Sequence, residues 1–375
     1  MKKAIRYVDI KPISEDLFIV DDPFGVFDSF MVNRITLMIM FLFDGTRTEE
    51  EVRVEFIRRT GIFIPHDQFI ELVEFFRENG LFLDDSFHKI KENRIREIVK
   101  RGSLEFYFSD KDFPSDPQEL IVFLGIDKVD GLGDYTAAIM PHIDLRVASE
   151  TYYKTYDRLK KTDSKRVFVF GVSHYFHKGL FSVFPLDWET PFGLVSTDKE
   201  AVRKISSKFN FDVFENVLSY RKEHSIAFHL PYIKRLFENV KVLGILVSYS
   251  DDLRSACKVL DELAHFIAEN YPDSIFISSV DLSHVGKKFG DDRCFDPEEV
   301  DMKYLEFVRN IRPEEALDYL IEIDNFTRID GILTNYLFLK VIKNIGLNQG
   351  SIVDYKKHID KYTDSIVSYS SIVFK

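Results

Sequence analysis

Three stretches decide the reading of this chain: Met140-Pro141-His142-Ile143-Asp144, Phe170-Gly171-Val172-Ser173-His174 and Val280-Asp281-Leu282-Ser283-His284. In each, a short apolar run of strand character stops at a histidine motif. The runs lie at 137–140, 167–170 and 274–280, and two more follow the same pattern at 242–247 and 366–374. Between them, 147–159, 201–209, 224–237, 252–270 and 331–345 space their apolar residues by three and four, the period of a helix with one buried face. Strands alternating with helices imply an α/β domain, a sheet covered by helices. In such sheets ligands bind in the crevice beyond the carboxyl ends of the strands, so motifs distant in sequence can converge there.

Six of the ten histidines, His142, His174, His177, His224, His229 and His284, fall in four short motifs. Histidine is the commonest transition-metal ligand, and an imidazole at a strand end starts from a rigid position. Any one of them alone is more simply a satisfied core or surface residue; the joint pattern points to a metal. His224 and His229, five apart, face different sides of a helix unless its first turn is irregular. Asp144 fits either a carboxylate orienting a histidine or a salt-bridge partner. Trp188, in a Pro-bounded loop, fits either a lid or a packing anchor.

Pro141-His142, Gly171-Val172-Ser173-His174, Glu223-His224-Ser225-Ile226-Ala227-Phe228-His229-Leu230-Pro231-Tyr232 and Asp281-Leu282-Ser283-His284 resemble the signature set of the Memo family, from about residue 101 to the C-terminus. The resemblance implies a fold similar to class III, LigB-type extradiol dioxygenases, which hold non-haem iron. It also implies the company of a radical enzyme, as component B of the AmmeMemoRadiSam system. Carried over residue by residue, it makes His142 and His174 metal ligands. The family's third ligand, a cysteine in an Ile-Cys-Gly turn, falls here on Ile329-Asp330-Gly331, so Asp330 takes its place unless it serves only as a helix N-cap. Two histidines and a carboxylate form a facial triad suited to Fe(II), with Zn, Mn or Cu as other occupants. The resemblance further implies that His284 transfers protons with its tautomer fixed by Asp281, and that His229 faces the pocket while His224 caps or packs. Pro141-His142-Ile143-Asp144-Leu145 stands where the family commonly shows the smaller Pro-His-Ala-Gly-Tyr, so the resemblance does not carry the family's substrate over to this chain.

Residues 1–90 differ from the 91–375 that follow. Short strands at 7–13, 17–20 and 26–32 precede an apolar run at 35–43. Thr48 and Glu51 make a capping box, a further helix spans 66–79, and 81–83 reads as a closing strand. This is a small winged-helix-like α+β unit. Val32-Asn33-Arg34 through Phe43-Asp44-Gly45-Thr46-Arg47-Thr48-Glu49-Glu50-Glu51-Val52 resembles the PqqD-like fold, which implies capture of a peptide by strand addition; a packing or dimerisation domain is the plainer reading. With 11 Lys and Arg against 17 Asp and Glu, its net −6 lacks the basic face of a DNA reader. The basic run at 88–101 reads as a helical connector.

The whole chain, 375 residues at net −12, argues against nucleic acid as a partner. Two cysteines, Cys257 and Cys294, rule out a disulfide framework and fit a reducing cytoplasm. No apolar run reaches the ~18 residues of a membrane span. Taken together, a metal-dependent oxidoreductase acting on a small molecule is the leading expectation. A non-catalytic adaptor binding a peptide and a radical enzyme, or a zinc hydrolase, are the alternatives.

Overall fold

The computed structural model describes residues 2–109, 113–131, 133–160 and 165–375. The chain divides into two compact units, Met1–Gly102 and Ser103–Lys375.

In the first unit, β1 (Asp9–Pro12), β2 (Leu17–Asp21) and β3 (Phe30–Asn33) form an antiparallel sheet in that order. The apolar run after β3 is a helix, Arg34–Leu42, whose N-cap Asn33 accepts from Thr36 N at 2.8 Å. The capping box is complete: Thr48 accepts from Glu51 N, and Glu51 accepts from Thr48 N at 2.7 Å, opening the helix Glu49–Thr60. Two segments depart from expectation. Residues 81–83 supply only an isolated bridge, Ile5 with Phe82. Residues 26–29 stay outside β3 because Asp22 draws the Val26 and Phe27 N–H groups into a turn, at 2.7 and 3.1 Å. The basic run is part of the unit's last helix, Asp85–Arg101. The core is aromatic, with Phe43, Phe56, Phe69, Phe76 and Phe82 buried together.

The second unit opens with β4 (Ser103–Leu104), followed by β5 (Ala137–Met140), β6 (Arg166–Val172), β7 (Phe181–Val183) and β8 (Asp187–Trp188). Then come β9 (Lys241–Val247), β10 (Ile275–Ser279), β11 (His284–Gly286), β12 (Gly350–Asp360) and β13 (Ser365–Phe374). β4 and β8 make a separate parallel pair. The main sheet runs β11-β13-β5-β10-β6-β9-β7, with β12 also on β13. Its centre, β5, β10, β6 and β9, is parallel, and its flanks are antiparallel. These central strands read as near-continuous apolar runs because both of their faces are buried. Phe168, Phe170, Leu243, Ile245 and Phe276 share a core with the helices Leu253–Asn270 and Ile332–Asn344. The helix Leu145–Arg158 lies against β5, β12 and β13.

Register places the site. Ser279 is opposite Met140 of β5 and Gly171 of β6, so three strands end at one level. The three strand-end histidine motifs begin within three residues of that line.

Candidate metal centre

His142 sits two residues past β5. Asp281, just past β10, accepts the backbone N–H groups of His142 and Ile143 at 3.0 and 3.2 Å, fastening the turn. His142 Nδ1 lies 3.0 Å from the Ser279 carbonyl oxygen. A carbonyl only accepts, so Nδ1 carries the proton and donates it there, leaving Nε2 as the atom available to a ligand. Nε2 is 3.0 Å from Asp330 Oδ2 and 3.7 Å from Asp281 Oδ2. Burial works against a charged His142, but Asp281 and Asp330 outweigh it and raise its pKa to about 9.

His174 follows β6 and is held by Glu223. The fully buried Glu223 carboxylate accepts from His174 N at 2.8 Å and from His174 Nδ1 at 2.9 Å. It also caps the next helix by accepting from Ser225 N at 3.0 Å. Burial would raise the Glu223 pKa, yet His174 and His224 lower it to about 2. With Nδ1 engaged, His174 Nε2 is the nitrogen left for a ligand.

His224 opens the short helix His224–Ala227, and the helix Leu230–Leu236 starts afresh after it. Pro231 has no N–H to give the Ala227 carbonyl, which is one reason the expected continuous helix breaks. The break turns the two histidines apart. His224 joins the pocket, its ring centroid 4.4 Å from that of His174 and 5.0 Å from that of His142. Burial and His174 lower its pKa to about 3, keeping it neutral. His229 is fully buried, with Nδ1 2.9 Å from Tyr156 Oη and Nε2 3.0 Å from Ser279 Oγ. The expected roles are therefore exchanged: His224 faces the pocket, and His229, with both nitrogens spent, supports the strand end beneath His142.

Asp330 does not cap a helix. The N-cap of Ile332–Asn344 is Gly331, with φ 60° and no side-chain capping bond. A Cβ at Gly331 would lie 2.3 Å from Val280 Cγ1 and 2.8 Å from Val172 Cγ2, so only glycine lets the turn press onto the ends of β6 and β10. That turn directs the Asp330 carboxylate at His142. Oδ2 is buried and makes no well-formed hydrogen bond among the described residues. Burial opposes its ionisation, but the contact with His142 and the charge of the neighbouring histidines hold it well below the usual carboxylate range.

His284 lines the same pocket, although Asp281 does not set its tautomer as expected. Nδ1 lies 3.0 Å from the Leu282 carbonyl and 3.2 Å from that of Arg328, so main-chain oxygens hold the Nδ1 proton. Asp281 instead serves the His142 turn. Beneath His284, buried Asp301 accepts Ser283 Oγ at 2.6 Å, Ser368 Oγ at 2.5 Å and Tyr355 Oη at 2.8 Å, anchoring the entry to β11. The pocket encloses about 390 Å³, with Phe108, Phe228, Ile143 and Phe289 as apolar walls and Lys288 beside them. Asp144 faces it as well, but its carboxylate pairs with Arg146 and caps the helix Leu145–Arg158. His177 is bound to Gly179 O and Ser182 Oγ, at 3.0 and 2.7 Å. Trp188 is buried against Phe184 and is a packing anchor, not a lid.

The ligand atoms of His142, His174 and His224 all lie within 4.8 Å of one another. Three imidazoles, the buried Asp330 oxygen 3.0 Å from His142 Nε2, and carboxylate or carbonyl partners behind two of the rings fit a transition metal. Sequence reasoning passed over Glu223 and Asp301. Glu223 immediately precedes His224, a position from which one carboxylate can serve a helix cap and a neighbouring histidine together. Asp301 had no such signal.

This fold and site define a class: α/β proteins with a histidine cluster competent for a metal at the carboxyl edge of the parallel centre of a mixed sheet. Residues 113–373 match the family described as Memo-like protein, and the chain belongs to that family. A MEMO1 family protein of Aquifex aeolicus is 39% identical over 380 residues and is covered, like this chain, over its full length. One from Thermus thermophilus is 28% identical, over 87% of this chain and 99% of its own. Among solved structures, an uncharacterized protein from Escherichia coli K12 overlaps 64% of this chain and 99% of its own, at a TM-score of 0.41 and 12% identity.

Proposed function

We propose that the second unit is a metal-dependent redox enzyme acting on a small molecule, with iron as the metal and His142, His174, His224 and Asp330 as its donors. The observation that carries this is the convergence of three imidazoles on one pocket, with the buried Asp330 Oδ2 3.0 Å from His142 Nε2. The set widens the two-histidine, one-carboxylate triad to include His224. Bound there, Fe(II) would supply Lewis acidity and one-electron chemistry.

The chain's own residues divide the remaining work. Glu223 and the Ser279 carbonyl fix the Nδ1 protons of His174 and His142, so that both rings present Nε2. His284, proton-bearing at Nδ1, offers Nε2 to accept a proton from a bound substrate, a role worth ~10²–10⁴ in rate. The aromatic and aliphatic walls give an apolar surface for the substrate's body, and Lys288 offers a positive charge beside them. The carboxylate of Asp330 beside the imidazoles favours iron, whereas three histidines equally suit catalytic zinc, so metal identity separates the oxidoreductase from the hydrolase.

The first unit reads as a peptide-capturing, PqqD-like module serving a radical-enzyme partner in the cytoplasm. Its support is the three-stranded sheet, in which β1 and β3 each pair only with β2 among the described residues. A strand with an unpaired edge can accept another chain. No helix among the described residues is long and apolar enough to cross a membrane.

The test is metal analysis of anaerobically purified protein. One equivalent of iron, lost in His142→Ala, His174→Ala and His224→Ala, supports the reading; unchanged metal content in these variants refutes the site.

A further inference from the structure

Behind the histidine cluster, on the far side of the Ile329–Thr334 turn, lies a second cavity of about 480 Å³. Val172 at the end of β6 and Val247 at the end of β9 form its floor. Leu253, Leu317, Leu320 and Ile329 supply much of the wall. Its size and aliphatic lining are those of small-molecule sites.

One wall is a strained segment. Asp324, Asn325 and Arg328 have φ values of 54°, 36° and 56°, a left-handed conformation that Asp and Asn reach at small cost but that Arg328 holds only because its surroundings compel it. The compulsion is visible. Asn325 Nδ2 donates to Ile329 O, and Ile329 N donates to Asn325 Oδ1, both at 2.9 Å. Asn325 N is tied to Leu320 O at 2.8 Å, and Arg328 pairs with Asp291 at 2.6 Å. Segment 324–330 is thus held as an arch along the cavity wall.

The lining also states what would enter. Its charged members are Asp324 and Asp330, both acidic although the Asp330 carboxylate is turned toward His142, with no lysine or arginine among the described lining residues. An anion would be repelled. Polar groups are nevertheless present at one end, where the first turn of the helix Ile332–Asn344 borders the cavity without a side-chain cap. First-turn N–H groups have no partner within their own helix, so an uncapped turn favours a hydrogen-bond acceptor.

We propose that this cavity binds an uncharged, mainly apolar small molecule bearing a carbonyl or ether oxygen, at a site separate from the histidine pocket. The molecule's apolar body fills the aliphatic chamber and its oxygen meets the helix start. No histidine of the cluster lines the cavity, and Asp330, the one proposed metal donor on its wall, has its carboxylate against His142, so the assignment stands apart from the metal reading.

The probe is the neutral ketone dye Prodan, titrated into the full-length protein and followed by its emission, with an anionic naphthalene sulfonate dye in parallel. Saturable, one-to-one Prodan binding with a blue shift is expected, with the anionic dye at least tenfold weaker. Leu317→Trp should weaken Prodan at least tenfold. Ser248→Trp, placed at the end of β9, should do the same if Leu317→Trp fails to fold. His142→Ala should leave Prodan binding within threefold of wild type, which separates this site from the metal pocket. Absence of saturable binding, preference for the anionic dye, unchanged affinity in folded tryptophan variants, or loss of binding in folded His142→Ala would each overturn the proposal.

Discussion

Glu223→Gln is the sharpest single perturbation of the metal centre, because it changes charge with almost no change in volume. The carboxylate accepts three N–H donors, from His174 N, His174 Nδ1 and Ser225 N, at 2.8, 2.9 and 3.0 Å. Glutamine has one acceptor oxygen and one NH₂ group. If the oxygen takes the Oε1 position it keeps the His174 Nδ1 and Ser225 bonds, but the NH₂ then opposes the His174 main-chain N–H. The other orientation sets it against the remaining two donors. Either way a buried donor loses its partner, at about 1–3 kcal/mol. The lost negative charge also makes the His174 ring a poorer ligand. Changes to such supporting partners typically weaken metal binding 10- to 100-fold, or ~1.4–2.7 kcal/mol. Competition between the protein and a chelator of known affinity reads the metal term, and urea denaturation of the metal-free protein reads the stability term. A variant that folds, loses stability as expected, yet binds metal within twofold of wild type would show that His174 is not a ligand.

His284→Ala is expected to retain its metal while losing 10²–10⁴ in turnover; loss of metal instead would make His284 a ligand, as tested by elemental analysis. Gly331→Ala places a methyl group against Val280 and Val172 at a left-handed position. It should cost about 2–4 kcal/mol in denaturant unfolding and lower metal content together; an unaffected melt refutes the turn's role. Burial raises the Asp301 pKa above 3.8 despite its three hydroxyl partners. The folded state therefore holds this proton more tightly than the unfolded chain, and stability from this group is greatest below the unfolded pKa and falls as pH rises through the folded one. Asp301→Asn should accordingly compare more favourably with wild type at pH 7 than at pH 4 in urea titrations; the reverse order would refute it. A fragment spanning residues 1–102 should bind a basic partner peptide more weakly as salt rises and ignore duplex DNA; tight, salt-sensitive DNA binding would overturn the peptide reading.

Much of the second unit was legible in the chain because its signals are local. β5 is the run read at 137–140, and the other four predicted strands differ from the observed ones by one or two residues at their ends. Apolar strands buried on both faces leave a continuous hydrophobic signal that needs no tertiary information. β11, β12 and β7 escaped notice, since they lie at sheet margins where partly polar sequences pair with a neighbour already in place. The helices Glu298–Arg309 and Pro313–Glu322 were also passed over, although Pro313 at a first helical position is a start signal.

The sequence by itself determined that histidine motifs end several strands, that a carboxylate stands before Gly331, and that the first ninety residues are acidic. It could not determine which nitrogen of which ring faces the pocket. That choice depends on contacts far apart in the chain. The break before Pro231 sends His224 inward and His229 beneath the strand; Glu223 reaches back to His174 across 49 residues, and Asp281 to the His142 turn across 139. Asp330 likewise stands in sequence as a plausible helix cap. Only the packing of Gly331 onto Val172 and Val280 turns its carboxylate away from the helix and toward His142, because a left-handed turn there has room for no side chain.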